Sequence, residues 1–179
     1  MLKSIIFFTL LGLSVSNFSK EWNQNIEQTK VIFSAKKFQL KVKGAFSDVK
    51  VHTNFNSNDL ENSYVNVKIR VKSISTGKKW RDKKILKKNF FHQEKHKFIQ
   101  LTSSKIKKKE NGEIWLLANI TIKGITKKIE MPLEVIENEK RITINSSFKI
   151  KRKDFKIGDG SLGMSKTAKI SVEFIGTNK

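Results

Sequence analysis

The chain predicts an all-β fold: an antiparallel up-and-down β-barrel of eight strands, lipocalin-like, with a short helical or irregular insertion around residues 75–91. Three observations carry that expectation. Apolar residues alternate with basic ones over long stretches, as in Val65, Val67, Ile69 and Val71 against Lys68, Arg70 and Lys72, and a period of two gives each strand one apolar and one charged face. Turn signals separate these runs at short intervals. The runs follow one another without long crossovers, and closing a sheet on itself removes exposed edges. A two-sheet sandwich is the other outcome open to such hairpins. A barrel of about eight strands can hold one small ligand.

From the N-terminus, Lys3, the apolar run Ile5 to Leu13 and the small residues Ser14, Val15 and Ser16 fit a cleavable export signal over residues 1–16. The run is shorter than the roughly 20 residues a membrane-spanning helix needs. Residues 17–179 then form a single domain, placed in the periplasm or secreted. There is no cysteine, which excludes disulfides and lipid attachment through an N-terminal cysteine. A domain of this size buries a core without disulfide staples.

Two strands span Thr29 to Phe46, with Val31 and Phe33 on one face, then Phe38, Leu40 and Val42, and a turn at Gly44 and Phe46. Val49 to Asn54 is a short strand, and Asn56 to Asn62 is a polar loop of turn-forming residues. Tyr64 to Ile74 alternates strictly. The irregular piece follows, from a turn at Ser75, Thr76 and Gly77 to Phe90 and Phe91. Trp80, Ile85 and Phe90 lie apart along it, and the piece suits a lid or plug. Lys97 to Ile106 is a weaker strand, and Glu110, Asn111 and Gly112 mark a hairpin. Glu113 to Lys123 carries Ile114, Leu116, Ala118, Ile120 and Ile122 on one side, and Gly124 turns the chain. Ile129, Met131, Leu133 and Val135 continue the alternation. Pro132 on the opposite face removes a ladder donor and predicts an edge or bulge there. Ile142, Ile144, Ser146, Phe148 and Ile150 share one face, as do Ile170, Val172 and Phe174 in the last strand.

Lysine and arginine number 37 against 16 acids, a formal charge of +21. Such a balance fits an anionic membrane surface or an acidic polymer as partner. The lysines alternate along strands and crowd a turn at Lys105, Lys107, Lys108 and Lys109, the pattern of a solvated outer face. Phe90, Phe91, Phe98 and Trp115 lie among basic residues, as in proteins that stack single-stranded nucleic acid. Core packing explains the phenylalanines more simply, and no nucleic acid is expected as partner.

Gly158, Gly160 and Gly163 match the spacing of a dinucleotide-binding loop. That motif needs a helix N-terminus after it, whereas strand-like sequence follows here, so a hairpin loop at the barrel mouth is expected. His92 and His96 lack a third metal ligand and sit among lysines, so no metal is expected. No nucleophile elbow occurs, and the chain is not expected to be an enzyme.

Four segments taken together resemble the YceI-like family of exported bacterial lipid-binding proteins: Ser73-Ile74-Ser75-Thr76-Gly77 with Arg81-Asp82 and Phe90-Phe91; Asn119-Ile120-Thr121-Ile122-Lys123-Gly124-Ile125-Thr126-Lys127; Lys151-Arg152-Lys153-Asp154-Phe155; and Val42-Lys43-Gly44-Ala45-Phe46. They occur in the family's order across essentially the whole mature chain. The resemblance implies a lipocalin-like barrel with a long apolar molecule inside, such as a polyisoprenoid, isoprenoid quinone or fatty-acid-like lipid, and no other cofactor. Glu27-Gln28-Thr29-Lys30 stands where the family often has an Asp-x-x-His-Ser element, and Lys84 where it often has a histidine.

The expected lining is Phe33, Phe38, Leu40, Val65, Val67, Ile69, Val71, Leu86, Phe90, Phe91, Leu116, Ala118, Ile120, Ile129, Met131, Leu133, Ile144, Phe148, Ile170 and Val172. Arg81, Lys84 and Arg152 are the candidates for a head-group contact, Arg being suited to bidentate binding of phosphate. The alternative for Arg81-Asp82 and Arg152-Asp154 is that each arginine pairs with a carboxylate to pin a loop. A basic envelope protein with a packed core, binding an anionic surface or polymer from outside, is the competing reading. The oligomeric state is open, a homodimer included.

Overall fold

A computed structural model describes residues 21–178; the expected export signal lies outside the described residues. Eleven antiparallel strands form one curled sheet. They are β1 (Asn23–Gln24), β2 (Lys30–Lys37), β3 (Leu40–Phe46), β4 (Val49–Thr53), β5 (Val65–Arg70), β6 (Ile74–Ser75), β7 (Phe98–Lys108), β8 (Ile114–Ile122), β9 (Ile125–Glu137), β10 (Arg141–Lys151) and β11 (Thr167–Thr177). The barrel of about eight becomes eleven strands: the nine runs read along the chain, with β1 and β6 added as two-residue strands that have no room for an alternation signal. The single α-helix among the described residues, α1 (Lys79–Leu86), falls inside the predicted insertion.

The strand order is β4-β5-β7-β8-β9-β10-β11-β2-β3-β6, with β1 paired to β11. Neighbours in space are mostly neighbours in sequence, as the lack of crossovers predicts. The terminal strands β4 and β6 do not pair with each other. The free edge of β4 is met instead by β1: the Gln24 side chain donates to the Val49 carbonyl (2.9 Å) and accepts from the Val51 amide (2.9 Å), while the Trp22 amide donates to the Thr53 carbonyl. One side-chain amide thus satisfies backbone groups that a strand edge would leave open.

Pro132 behaves as its missing N–H requires. The β9–β10 ladder ends at the pair Glu134–Asn145, short of the proline, and Ser146 Oγ donates to the Pro132 carbonyl at 2.7 Å. Residues 125–133 of β9 therefore have no β10 partner in the ladder, and the sheet parts there. A 3-10 turn at Arg152–Phe155 and the loop that follows it fill the gap.

The apolar faces converge on one core. Ile142, Leu116, Phe55 and Phe155 are essentially inaccessible. Two residues expected in the alternation depart from it. Val71 sits in a 3-10 turn (Val71–Ser73), fully buried but not in a strand. Phe38 lies in the turn between β2 and β3, where it and Gln39 both have positive φ (47° and 69°).

Candidate ligand-binding cavity

The inward faces leave a hollow. Its volume is about 180 Å³. Thirty residues line it, and only Thr53, Ser146 and Arg152 are polar. Along β8 the lining runs from Leu116 to Ile122 and along β10 from Ile144 to Ile150, which at strand rise is a length of roughly 20 Å. The cavity is long, narrow and apolar.

Fourteen of the twenty expected lining residues face it: Phe33, Val65, Val67, Ile69, Phe90, Phe91, Leu116, Ile120, Met131, Leu133, Ile144, Phe148, Ile170 and Val172. Six do not. Phe38 and Leu40 are 66% and 74% exposed at the tip of the β2–β3 hairpin. Leu40 pairs with Lys37 and shares the face of Ala35 and Val42, so its parity is inward, but the hairpin has already passed the barrel rim. Val71 packs in its 3-10 turn. Ala118 is buried but does not line the hollow. Ile129 lies in the half of β9 that has parted from β10. On α1 the inward position belongs to Ile85 rather than Leu86, since successive helical residues point about 100° apart.

Alternation also offered inward positions that the expected lining omitted. Val31 and Ala35 share the parity of Phe33, Val51 and Thr53 that of Val49, Ile150 that of Phe148, and Ala168 and Phe174 that of Ile170. Ile157 and Met164 had no such signal, because they come from the loop after β10.

Two covers meet over the mouth. The first is α1 and the segment after it, which brings Ile85, Phe90 and Phe91 inward; the Phe91 ring meets Phe46 edge-on at 6.2 Å. The turn before α1 is held by both of its expected residues, though not by pairing with each other. Asp82 Oδ1 accepts from the Thr76 amide (2.8 Å) and hydroxyl (2.5 Å), while Arg81 Nε donates to Thr76 Oγ1 (2.9 Å) and Nη2 to the Thr76 carbonyl (3.1 Å). Arg81 and the exposed Lys84 do not line the cavity.

The second cover is the loop from Lys156 to Lys166, and Arg152 is its clasp. Arg152 is 4% exposed. Its Nε donates to the Ser165 carbonyl (2.7 Å), Nη1 to the carbonyls of Ile157 and Gly158 (both 2.8 Å), and Nη2 to that of Met164 (3.3 Å). The expected Asp154 is not among these partners. The arginine does pin the loop, but through carbonyls on both of its limbs. Four of the five N–H groups of a guanidinium are thereby used. The covers join where the Gly158 amide donates to the Asn89 carbonyl (2.7 Å). The glycine loop therefore sits at the mouth, as its position between strands predicts.

His92 and His96 stack edge-on at 5.7 Å, and no group of three metal-ligating side chains occurs among the described residues. Burial lowers the His96 pKa, and the neighbouring His92, Lys95 and Lys123 push it the same way. Phe98 and Trp115 face outward beneath lysine and arginine, with Lys68 Nζ 4.3 Å from the Phe98 ring and Lys109 Nζ 3.5 Å from that of Trp115.

The family described as YceI-like domain matches residues 22–175. A UPF0312 protein of Photorhabdus laumondii is 31% identical over 118 residues, covering 63% of this chain and 61% of that protein. Protein YceI of Salmonella arizonae is 29% identical over 120 residues, covering 64% and 62%. The matched region spans less than two thirds of these relatives. Among solved structures, Burkholderia cenocepacia BcnA superposes with a TM-score of 0.82 at 20% identity, over 87% of this chain and all of that one. The Campylobacter jejuni YCEI protein gives 0.70 at 27% identity, over 77% and 85%. A polyisoprenoid binding domain from Saccharophagus degradans gives 0.70 at 14% identity, over 88% and 98%. With the family matched over nearly all the described residues and the curled antiparallel sheet shared, this chain belongs to the YceI-like domain family.

Proposed function

We propose that the protein is a non-catalytic binding protein that holds or carries one long apolar lipid inside its barrel, working outside the cytoplasm. The observation that carries this reading is the wall of the hollow, twenty-seven apolar residues and three polar ones around a channel roughly 20 Å long. Each CH₂ moved from water into such a channel contributes about 0.8 kcal/mol, so a long chain is held without many polar contacts. The neighbour named as a polyisoprenoid binding domain supports a polyisoprenoid-like chain, and the apolar N-terminal run supports export.

Extraction of purified protein in organic solvent followed by mass spectrometry tests the proposal. The expected result is one long-chain lipid in stoichiometric amount, and delipidated protein that takes up a hydrophobic fluorescent probe and releases it to added lipid. Protein that is empty and also ignores the probe refutes it.

A further inference from the structure

The two expected lining residues that the structure turns outward mark a surface of their own. Phe38 and Leu40, 66% and 74% exposed at the β2–β3 tip, are joined by Leu162 at 83%. These three belong to one patch. The Phe38 amide donates to the Gly163 carbonyl at 2.8 Å, and the Phe38 ring lies so close over Gly163 that a Cβ there would fall 2.2 Å from it. Leu162 is the adjacent residue. The patch also abuts the cavity mouth: Lys37 bridges to Met164, and both Met164 and Ala35 line the hollow.

The charge around the patch is one-sided. The hairpin segment 36–43 carries Lys36, Lys37, Lys41 and Lys43, and the loop segment 153–166 carries Lys153, Lys156 and Lys166, all exposed; the acids on these segments are Asp154 and Asp159. Protruding apolar side chains ringed by lysines match a bilayer with anionic head groups, the apolar tips entering the head-group boundary while the lysines stay at the surface. The opposite end supplies the contrast. Ile26 and Ile136 are each 71% exposed there, but Glu27, Glu134, Glu137 and Glu139 outnumber Lys140 and Arg141 around them.

We infer that the β2–β3 tip and Leu162 dock the protein on an anionic membrane, setting the cavity mouth against the bilayer so that a lipid passes between membrane and barrel without crossing water. The passage rests on the reading of the cavity as a lipid site; the docking does not.

Co-sedimentation with vesicles of phosphatidylglycerol and phosphatidylcholine, against phosphatidylcholine alone, tests it. Wild type binds the anionic vesicles and scarcely the neutral ones. The triple variant Phe38→Ser, Leu40→Ser, Leu162→Ser binds them about tenfold or more weakly, and the pair Ile26→Ser, Ile136→Ser binds like wild type. A triple variant that binds as wild type does, or a wild type indifferent to vesicle charge, overturns the inference. Should the triple variant fail to fold, Phe38→Trp decides: its added emission shifts to the blue on anionic vesicles, and an unchanged spectrum refutes insertion. Mass spectrometry of extracts from the same preparations reads the cavity separately. Tip-dependent vesicle binding by a protein that carries no lipid removes the cavity reading and leaves the docking face standing.

Discussion

Replacing Arg152 with methionine probes what holds the mouth closed. The substitution keeps most of the volume and deletes every donor, so four carbonyls, those of Ile157, Gly158, Met164 and Ser165, lose the arginine at once, that of Gly158 keeping the Ser161 amide. Hydrogen bonds to a charged group each contribute about 1.5–3 kcal/mol, and a simple sum would reach about 6–12 kcal/mol. Two effects lower that figure. The variant no longer strips water from a guanidinium on folding, and the loop can open to let water satisfy its carbonyls. A loss of about 3–5 kcal/mol is expected, a large share of the roughly 5–15 kcal/mol that stabilises a domain. Urea denaturation measures it. Hydrogen exchange locates it, because the amides of Phe38, Gly158 and Ser165, bonded to Gly163, Asn89 and Lys36, should lose protection before the β8–β9 ladder does. Arg152→Lys should recover only part of the loss, since an ammonium cannot spread its donors over carbonyls on both limbs of the loop. A methionine variant within about 1 kcal/mol of wild type, with the three amides still protected, would show that the loop is held by its apolar contacts and not by the arginine.

Three further outcomes are expected. Val67→Trp places an indole in the hollow from the middle of β5 and should cut extracted lipid per protein severalfold while costing less than about 1.5–3 kcal/mol; full lipid content by mass spectrometry would place the lipid elsewhere. Gly44→Ala drives a methyl to 2.4 Å from Phe33 Cζ and 2.8 Å from the Ser75 carbonyl. The ring can swing into the cavity but the backbone cannot yield, so a thermal melt should show a loss of about 1–3 kcal/mol, with reduced lipid content. Tyr64, the one tyrosine in the chain, has its pKa raised from 10.0 to about 12, first by its hydrogen bond to Glu21, then by burial and by the glutamate's charge. A raised folded value means that its contribution to stability is complete below pH 10 and is lost as pH climbs towards 12. Absorbance titration of the phenolate should follow that range in wild type and fall back towards 10.0 in Glu21→Gln; an unshifted wild-type curve would remove the contact.

The alternation told inside from outside wherever a strand had partners along its whole length. On β5, β8, β10 and β11 every residue at the cavity has the inward parity. It failed at the β2–β3 hairpin because parity says which face a residue is on and not whether the barrel still encloses that face. Leu40 keeps the parity of Ala35 and Val42, yet it stands beyond the rim. The turn itself, Phe38-Gln39, carries positive φ at both residues without the Asn-Gly or Asp-Gly letters that usually mark such a turn. An apolar residue in that turn therefore read as a continuation of the strand. Ile157 and Met164 were illegible for the opposite reason: they reach the cavity from a loop, where no period applies.

Arg152 shows the limit most plainly. In sequence it sits inside Lys-Arg-Lys-Asp, between lysines that are both exposed in the structure, and composition alone assigns such a cluster to the surface. The 3-10 turn changes that. With three residues per turn, positions i and i+3 stand above one another, so Arg152 and Phe155 share one face and go in together while Lys153 and Asp154 stay out. Burying the arginine is tolerable only because carbonyls on both limbs of the following loop converge on it, and that convergence depends on where β11 begins after the loop. Parity likewise gives the direction of each side chain but no radius. Whether the inward residues fill the barrel or leave a channel is set by strand number and stagger; here the strand count rose with β1 and β6, the elements too short to announce themselves. The hollow is thus a property of the curled sheet, and the letters that line it acquire their meaning only once the sheet has curled round.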